Sequence, residues 1–263
     1  MLEYWGQCLK CLDFTANSGT LAEVKVSIVV PAFNEERLLG ESLNRINLAA
    51  SAFQQRGWIT ELVVCDNNST DKTPQIASAA GATVVFEPIN QIARARNRGA
   101  EAATGDWLVF VDADSHPGPE LFSDVADTIE SGRCIAGGAT ILFDKRYFVA
   151  GLFTRLWNFT SRWRRLLAGS FIFCESATFR KIGGFSHELF AGEELELSQR
   201  LWKAAKESGK KVVILHRHPL VTSARKIHLY TVREHLRLIA RLFKDRRVLT
   251  NREACHLWYD GRR

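Results

Sequence analysis

The residues best able to do chemistry are acidic and occur in groups. Asp112-Ala113-Asp114 is a D-x-D tripeptide. In an extended segment residues two apart face the same way, so both carboxylates can meet one hard cation, and oxygen donors suit Mg2+ or Mn2+ shared with substrate phosphates. Taken alone, the tripeptide is equally a turn former or a cap ahead of a helix starting at Pro117. Two further polar groups are Pro31-Ala32-Phe33-Asn34-Glu35-Glu36 and Asp66-Asn67-Asn68-Ser69-Thr70-Asp71-Lys72-Thr73. Glu193 and Glu194 offer a carboxylate that could take a proton as a general base, although with Glu196 they also fit the acidic first turn of a helix running to Lys206.

What must position these groups is a run of alternating strands and helices. Residues 24–30, 61–65, 83–86, 107–111 and 211–215 are short, nearly continuous apolar runs rich in Val and Ile, which read as buried strands. Between them, residues 35–55, 73–80 and 91–103 carry helical spacing, the second opened by Pro74 in its first turn. Repeated β-α-β units with apolar strands imply an α/β protein with a mainly parallel sheet, helices on both faces and right-handed crossovers. Ligands bind such sheets at the carboxyl ends of the strands, which is where the acidic groups fall. Three of them therefore converge on one rim.

Several chemistries are excluded. Pro31 closes the first strand and no glycine follows in the turn, which rules out the G-x-G-x-x-G dinucleotide loop and the P-loop. Six cysteines, at 8, 11, 65, 134, 174 and 255, are spaced irregularly and read as reduced thiols; Cys8 and Cys11 lack a second ligand pair for zinc. The start Met1-Leu2-Glu3 has no signal-peptide pattern, and apolar stretches such as 166–174 fall short of the roughly 20 residues that span a bilayer, so a cytoplasmic location is expected. Net charge is +6, yet residues 1–144 hold 10 basic against 19 acidic residues and residues 145–263 hold 25 against 10, giving −9 and +15. One half suits a cation and the other something anionic. Nucleic acid is disfavoured, because no helix-turn-helix, RRM or zinc-finger pattern accompanies the basic residues.

In order and spacing together, these residues resemble family 2 glycosyltransferases of the GT-A fold. The resemblance rests on Pro31-Ala32-Phe33-Asn34-Glu35, on Asp66 with Ser69, Asp71 and Thr73, on Ala95-Arg96-Asn97-x-Gly99, on Asp112-Ala113-Asp114, on Gly183-Gly184-Phe185, and on Gly192-Glu193-Glu194 with Glu196, Leu197 and Arg200. It implies a nucleoside diphosphate sugar donor and a bound Mn2+ or Mg2+. Pro31, Ala32, Glu35 and Asp66 would hold base and ribose, Arg96 and Asn97 would face the donor, Asp112 would meet the ribose or sugar, and Asp114 would ligate the metal. His218 is a candidate third metal ligand and Arg225 a candidate diphosphate partner, both from the late loop that relatives place over the diphosphate. Glu194 occupies the position of the second acid of a Glu-Asp or Asp-Asp pair, and so would be the base of an inverting transfer. Glu in place of Asp lengthens that side chain by one methylene.

The resemblance also implies an organisation: an N-terminal tail over 1–23, a GT-A catalytic domain over 24–230 with a nucleotide-binding half (24–115) and an acceptor-binding half (116–230), and a basic helical extension over 231–263. In that extension Arg233, Arg237 and Arg241 fall four apart, opposite Val232, Leu236, Ile239 and Phe243. Such a helix either packs on the core or lies on an anionic membrane surface. The aromatic and basic run 147–165 strengthens the membrane reading, so membrane contact or a lipid-linked acceptor stands beside a soluble sugar or protein acceptor, with the protein cytoplasmic or peripheral on the inner membrane face. From a different class, the alternative is a non-catalytic nucleotide-sugar binding module or a glycosyltransferase-like subunit that needs a partner.

Overall fold

The structure is a computed structural model that describes residues 23–144, 148–225 and 246–255. The expected tail, with Cys8 and Cys11, and the helix expected over 231–245 lie outside the described residues.

An eight-stranded sheet runs in the order β3-β2-β1-β4-β7-β6-β8-β5. Its first half is the expected β-α-β series: β1 (Lys25–Ala32), α1 (Leu39–Gln54), β2 (Ile59–Asp66), α2 (Thr73–Ala79), β3 (Thr83–Phe86), α3 (Ile92–Ala102) and β4 (Trp107–Val111). These four strands are parallel, so all their carboxyl ends share one edge. Helix α1 starts at Leu39 and not at Glu35, because residues 35–38 form a turn in which the Glu35 carbonyl accepts from the Leu38 and Leu39 amides. Pro31 stands within β1 without breaking the ladder: pairing with β4 ends at Val29↔Phe110, and only β2 still runs alongside.

The second half comprises β5 (Ser115–His116), α4 (Pro119–Glu130), β6 (Cys134–Phe143), α5 (Phe148–Arg164), β7 (Phe171–Glu175), α6 (Ser176–Lys181), α7 (Glu193–Glu207) and β8 (Lys211–Thr222). Here the direction reverses. Strand β7 lies antiparallel to both β4 and β6, whereas β6 and β8 are parallel. The sheet is thus mainly parallel, as the sequence implies, with two reversed strands, β7 in the middle and β5 antiparallel to β8 at the edge. Residues 246–250 form a short 3-10 turn whose Leu249 carbonyl accepts from the Phe190 amide at 2.7 Å, just ahead of α7.

Alternation along the strands builds two apolar layers. Ile28 and Val30 of β1 and Val109 and Val111 of β4 face α1 and α4, where Leu43, Ile46, Phe53 and Phe122 are fully buried. Val29, Leu108 and Phe110 face the opposite side, against α3, α6 and α7 through Ala100, Phe179, Leu197 and Leu201. Phe110 sits 5.2 Å from both Phe179 and Phe185, ring centre to ring centre. Removing a buried aromatic of this kind costs about 3–5 kcal/mol. The four described cysteines, 65, 134, 174 and 255, are buried free thiols, and burial raises each above its ordinary pKa.

Candidate active site

The loops after β1 and β2 are stitched together by side chains. The Thr73 hydroxyl accepts from the Glu35 amide at 2.8 Å and donates to Asp71, whose Oδ1 also accepts from the Thr73 amide at 2.9 Å. Burial pushes the Asp71 carboxyl up, but these hydrogen bonds outweigh it and leave Asp71 below its ordinary range. Asn34, held at φ 51°, donates its amide to Ser69 Oγ at 2.9 Å and accepts from the Thr70 amide at 2.8 Å. Asp66, at the end of β2, is 5% exposed and accepts from the Ser69 amide through Oδ1. Pro31, Ala32, Glu35 and Asp66 therefore share one rim, as expected.

Beside them, Asp112 and Asp114 follow β4. The Asp114 carbonyl accepts from the Ser223 amide at 3.0 Å, which brings the end of β8 to the D-x-D tripeptide. Arg225 reaches back from that point: its Nη2 contacts both oxygens of Glu35, at 2.7 and 2.8 Å, and lies 3.8 Å from Asp114 Oδ2. Its buried Nε has no hydrogen-bond partner among the described residues.

The third part is the buried guanidinium of Arg96. From α3 it donates to Glu193 Oε1 at 2.6 Å, to Asp112 Oδ1 at 2.9 Å and to the Gly169 carbonyl at 2.7 Å, and it lies over the Phe185 ring at 5.2 Å. Burial alone would pull its pKa down, but Asp112, Glu193 and Glu194 outweigh burial and raise it. Arg96 thus acts as a buried tether between the D-x-D tripeptide and the start of α7. Of the three first-turn acids of α7, Glu193 is held by Arg96 and Glu196 by Arg200. Glu194 has no ion pair among the described residues; half-buried, its carboxyl lies against Gly169, where an added Cβ would come within 3.5 Å of Glu194 Cδ. Burial, reinforced by the Glu193 charge and only partly offset by Arg96, pushes Glu194 up to about 8.

Two sequence expectations need correction. Asn97, expected at the donor, is engaged within the fold: its Nδ2 donates to the Phe185 carbonyl at 2.8 Å and its Oδ1 accepts from the Phe185 amide at 2.9 Å. That clamp fixes the glycine turn, where Gly184 sits at φ 66°. His218 does not join the metal motif either. Strand β8 runs to Thr222 instead of ending at residue 215, and its register passes from Ala139↔Leu215 to Ile141↔Leu220. Residues 216–219 therefore bulge out of the ladder, and His218 Nδ1 meets Asp124 Oδ2 of α4 at 3.0 Å. Sequence reasoning passed over the Gly169 carbonyl and the pairing of Glu193 with Arg96, since nothing in their spacing marks either one.

A reversed strand within a doubly wound sheet, with acids at the ends of β1, β2 and β4, defines the GT-A class of nucleotide-sugar-binding folds. The sequence model of glycosyl transferase family 2 matches residues 27–184, and the chain belongs to that family. Among solved structures, the mannosyltransferase PcManGT from Pyrobaculum calidifontis, in complex with GDP-Man and Mn2+, superimposes with a TM-score of 0.62 at 20% identity over 90% of this chain and 70% of that one. TarS from S. aureus with UDP-GlcNAc gives 0.61 at 22% identity, over 77% and 59%. Both likenesses establish the fold. A dolichol-phosphate mannosyltransferase from Pyrococcus furiosus is 31% identical over 121 residues, 44% of this chain and 33% of its own length. Glucosyl-3-phosphoglycerate synthase from Mycolicibacterium smegmatis is 37% identical over 97 residues, 34% and 30% of the two chains. The chain thus aligns with about a third of each of these curated relatives.

Proposed function

We propose that the protein transfers a sugar from a nucleoside diphosphate sugar to an acceptor hydroxyl, with inversion, in a single displacement at the rim where β1, β2 and β4 end. The observation that carries this reading is the division of labour among the acids. Arg96 occupies Glu193 and one oxygen of Asp112, and Glu194 is left without an ion pair among the described residues. A carboxylate with a pKa near 8 is a stronger base than an ordinary one, which suits it to an alcohol proton. Arg96 is a positioning residue in this reading: it fixes the distance between the base and the metal motif.

On the donor side, Pro31, Ala32, Glu35 and Asp66 bind base and ribose. Asp66 offers a base N–H the oxygen that Ser69 does not use. Arg225, whose buried Nε has no hydrogen-bond partner among the described residues, turns to the diphosphate in this reading. Asp112 and Asp114 fit a divalent cation: both are hard oxygen donors at one strand end, and Asp114 already draws the Arg225 cation to 3.8 Å. Among the described residues no group of three such side chains comes together, so water and substrate phosphates would have to complete the ion's shell. A bound Mn2+ or Mg2+ would neutralise charge developing on the departing diphosphate. The named relatives include enzymes for lipid-phosphate and for small soluble acceptors, so likeness alone does not choose the acceptor.

The test is donor hydrolysis and transfer with UDP-, GDP-, CDP- and dTDP-sugars, each with and without Mn2+, preceded by a thermal-shift screen for the donor. Asp114→Asn should lose metal-dependent turnover while keeping its fold. Glu194→Gln should retain donor binding and lose transfer. Wild-type rates in either variant overturn the corresponding role, and donor binding with no turnover in the wild-type protein returns the assignment to a binding module.

A further inference from the structure

Helix α5 has its polarity reversed. Thr154 and Ser161 are 6% and 0% exposed, and Asn158 binds both the amide and the carbonyl of Ile141 on β6, at 3.0 and 2.9 Å. At the described positions 154, 158 and 161 the inward side is therefore small and polar, with Trp157 half-buried beside them. The outward face holds Leu156, Phe159 and Trp163, which are 61, 67 and 70% exposed. At 3.6 residues per turn these three fall within an arc of about 60°, with Arg155 and Arg162 on one flank and Arg164 on the other. Arg164 folds over the Trp163 ring at 4.7 Å, keeping its charge beside the apolar line. No acidic residue occurs between Asp144 and Glu175.

A helix of a soluble domain normally buries its large apolar residues and exposes its polar ones. The inversion in α5 leaves the apolar line to something outside the core, and the charge pattern selects what that is. A second copy of the same face would set arginines against arginines. Nucleic acid would meet a leucine at the start of the line in place of a stacking ring. An anionic bilayer satisfies both parts, because headgroups receive the arginines while Leu156, Phe159 and Trp163 enter the acyl boundary. We propose that the outward face of α5 docks the protein reversibly on an anionic lipid surface.

The position has a consequence for the site. Helix α5 leads directly into residues 166–169: the Ser161 hydroxyl donates to the Leu166 carbonyl, the Leu167 amide donates to Ser198 Oγ on α7, and the Gly169 carbonyl holds Arg96. The lipid face and the Glu194 pocket thus stand at two ends of one short segment. If Glu194 is the base, the acceptor hydroxyl arrives from the bilayer side. That step rests on the proposed function, whereas membrane binding does not.

The test is flotation of the full chain with phosphatidylcholine vesicles, with and without phosphatidylglycerol, across a salt series. Binding should require phosphatidylglycerol and weaken with salt. Leu156→Ser/Phe159→Ser/Trp163→Ser should lower partitioning by at least about tenfold. Arg155→Gln/Arg162→Gln/Arg164→Gln should remove most of the phosphatidylglycerol dependence, at about fivefold per arginine. Unchanged melting temperatures and unchanged donor hydrolysis in the apolar variant would show that fold and chemistry survive. Quenching of tryptophan emission by brominated lipid should fall in Trp163→Phe. Absence of wild-type binding, equal binding by the apolar variant, or a concentration-dependent dimer abolished by it would each overturn the proposal.

Discussion

Replacing Arg96 by Met removes the charge that joins the two halves of the site. The side chains of Arg96 and Glu193 are 2% and 4% exposed, and that of Asp112 is 19% exposed, so the substitution strands one fully buried carboxylate and one largely buried one. Breaking a buried pair by removing one partner costs about 3–5 kcal/mol. In a domain of this size each kcal/mol moves the melting temperature by about 2–4 °C, so the expected loss is roughly 6–20 °C. Arg96→Met/Glu193→Gln should recover part of it, because the second change neutralises the stranded acid. A coupling of about 0.5–3 kcal/mol should appear in the double-mutant cycle measured by urea unfolding. The pH profile supplies a second readout. Arg96 is the charge that holds Glu194 down against burial and Glu193, so in the variant Glu194 should titrate above its wild-type value of about 8, and the acid limb of the rate profile should move to higher pH. A destabilisation below about 1 kcal/mol, strict additivity in the cycle, or an unmoved acid limb in a variant that still turns over would refute the tether.

Two other outcomes follow from the same geometry. Glu194 binds its proton more tightly in the folded protein, at about 8 against an ordinary 4.5, so its contribution to stability is complete below about pH 4.5 and is lost as pH rises toward 8. Glu194→Gln should therefore flatten the stability profile across that window and exceed wild type in chemical denaturation at its upper end. Gly184→Ala places a Cβ 2.6 Å from Asn97 Oδ1 at φ 66°, so a loss of about 1–3 kcal/mol is expected, measured as a lowered urea midpoint.

The first half of the fold was legible because each strand is a short apolar run closed by polar residues and followed by a helix pattern. Residues 83–86 and 107–111 coincide with β3 and β4. The second half was less so. Strand β6 contains Gly137 and Gly138, which lower any β signal, yet Gly137 is required because an added Cβ would strike the Phe173 ring of β7. Strand β7 lies inside an apolar stretch whose length and composition do not separate strand from helix. The apolar run behind β8 ends at Leu215, and the chain instead carries 216–219, with Pro219 where no amide is needed, in a bulge that turns His218 toward α4. At the candidate site, spacing singled out Asp112 and Asp114, and the family resemblance singled out Glu194. The burial that makes Arg96 a tether is set by Gly169 and Phe185, more than seventy positions away in the sequence, and no local pattern reports it.

Because β7 runs against β4, the Asp112 amide donates to the Ser170 carbonyl at 3.2 Å, and the segment bearing Gly169 is spliced to the strand that ends in the D-x-D motif. Slippage of β7 by a single residue would turn Phe171 and Phe173 out of their layer, so the seam has one permitted register. The two halves consequently cannot drift apart as loosely jointed lobes would. The separation between the D-x-D tripeptide and the start of α7 is thereby set by the sheet itself, whatever molecules meet there.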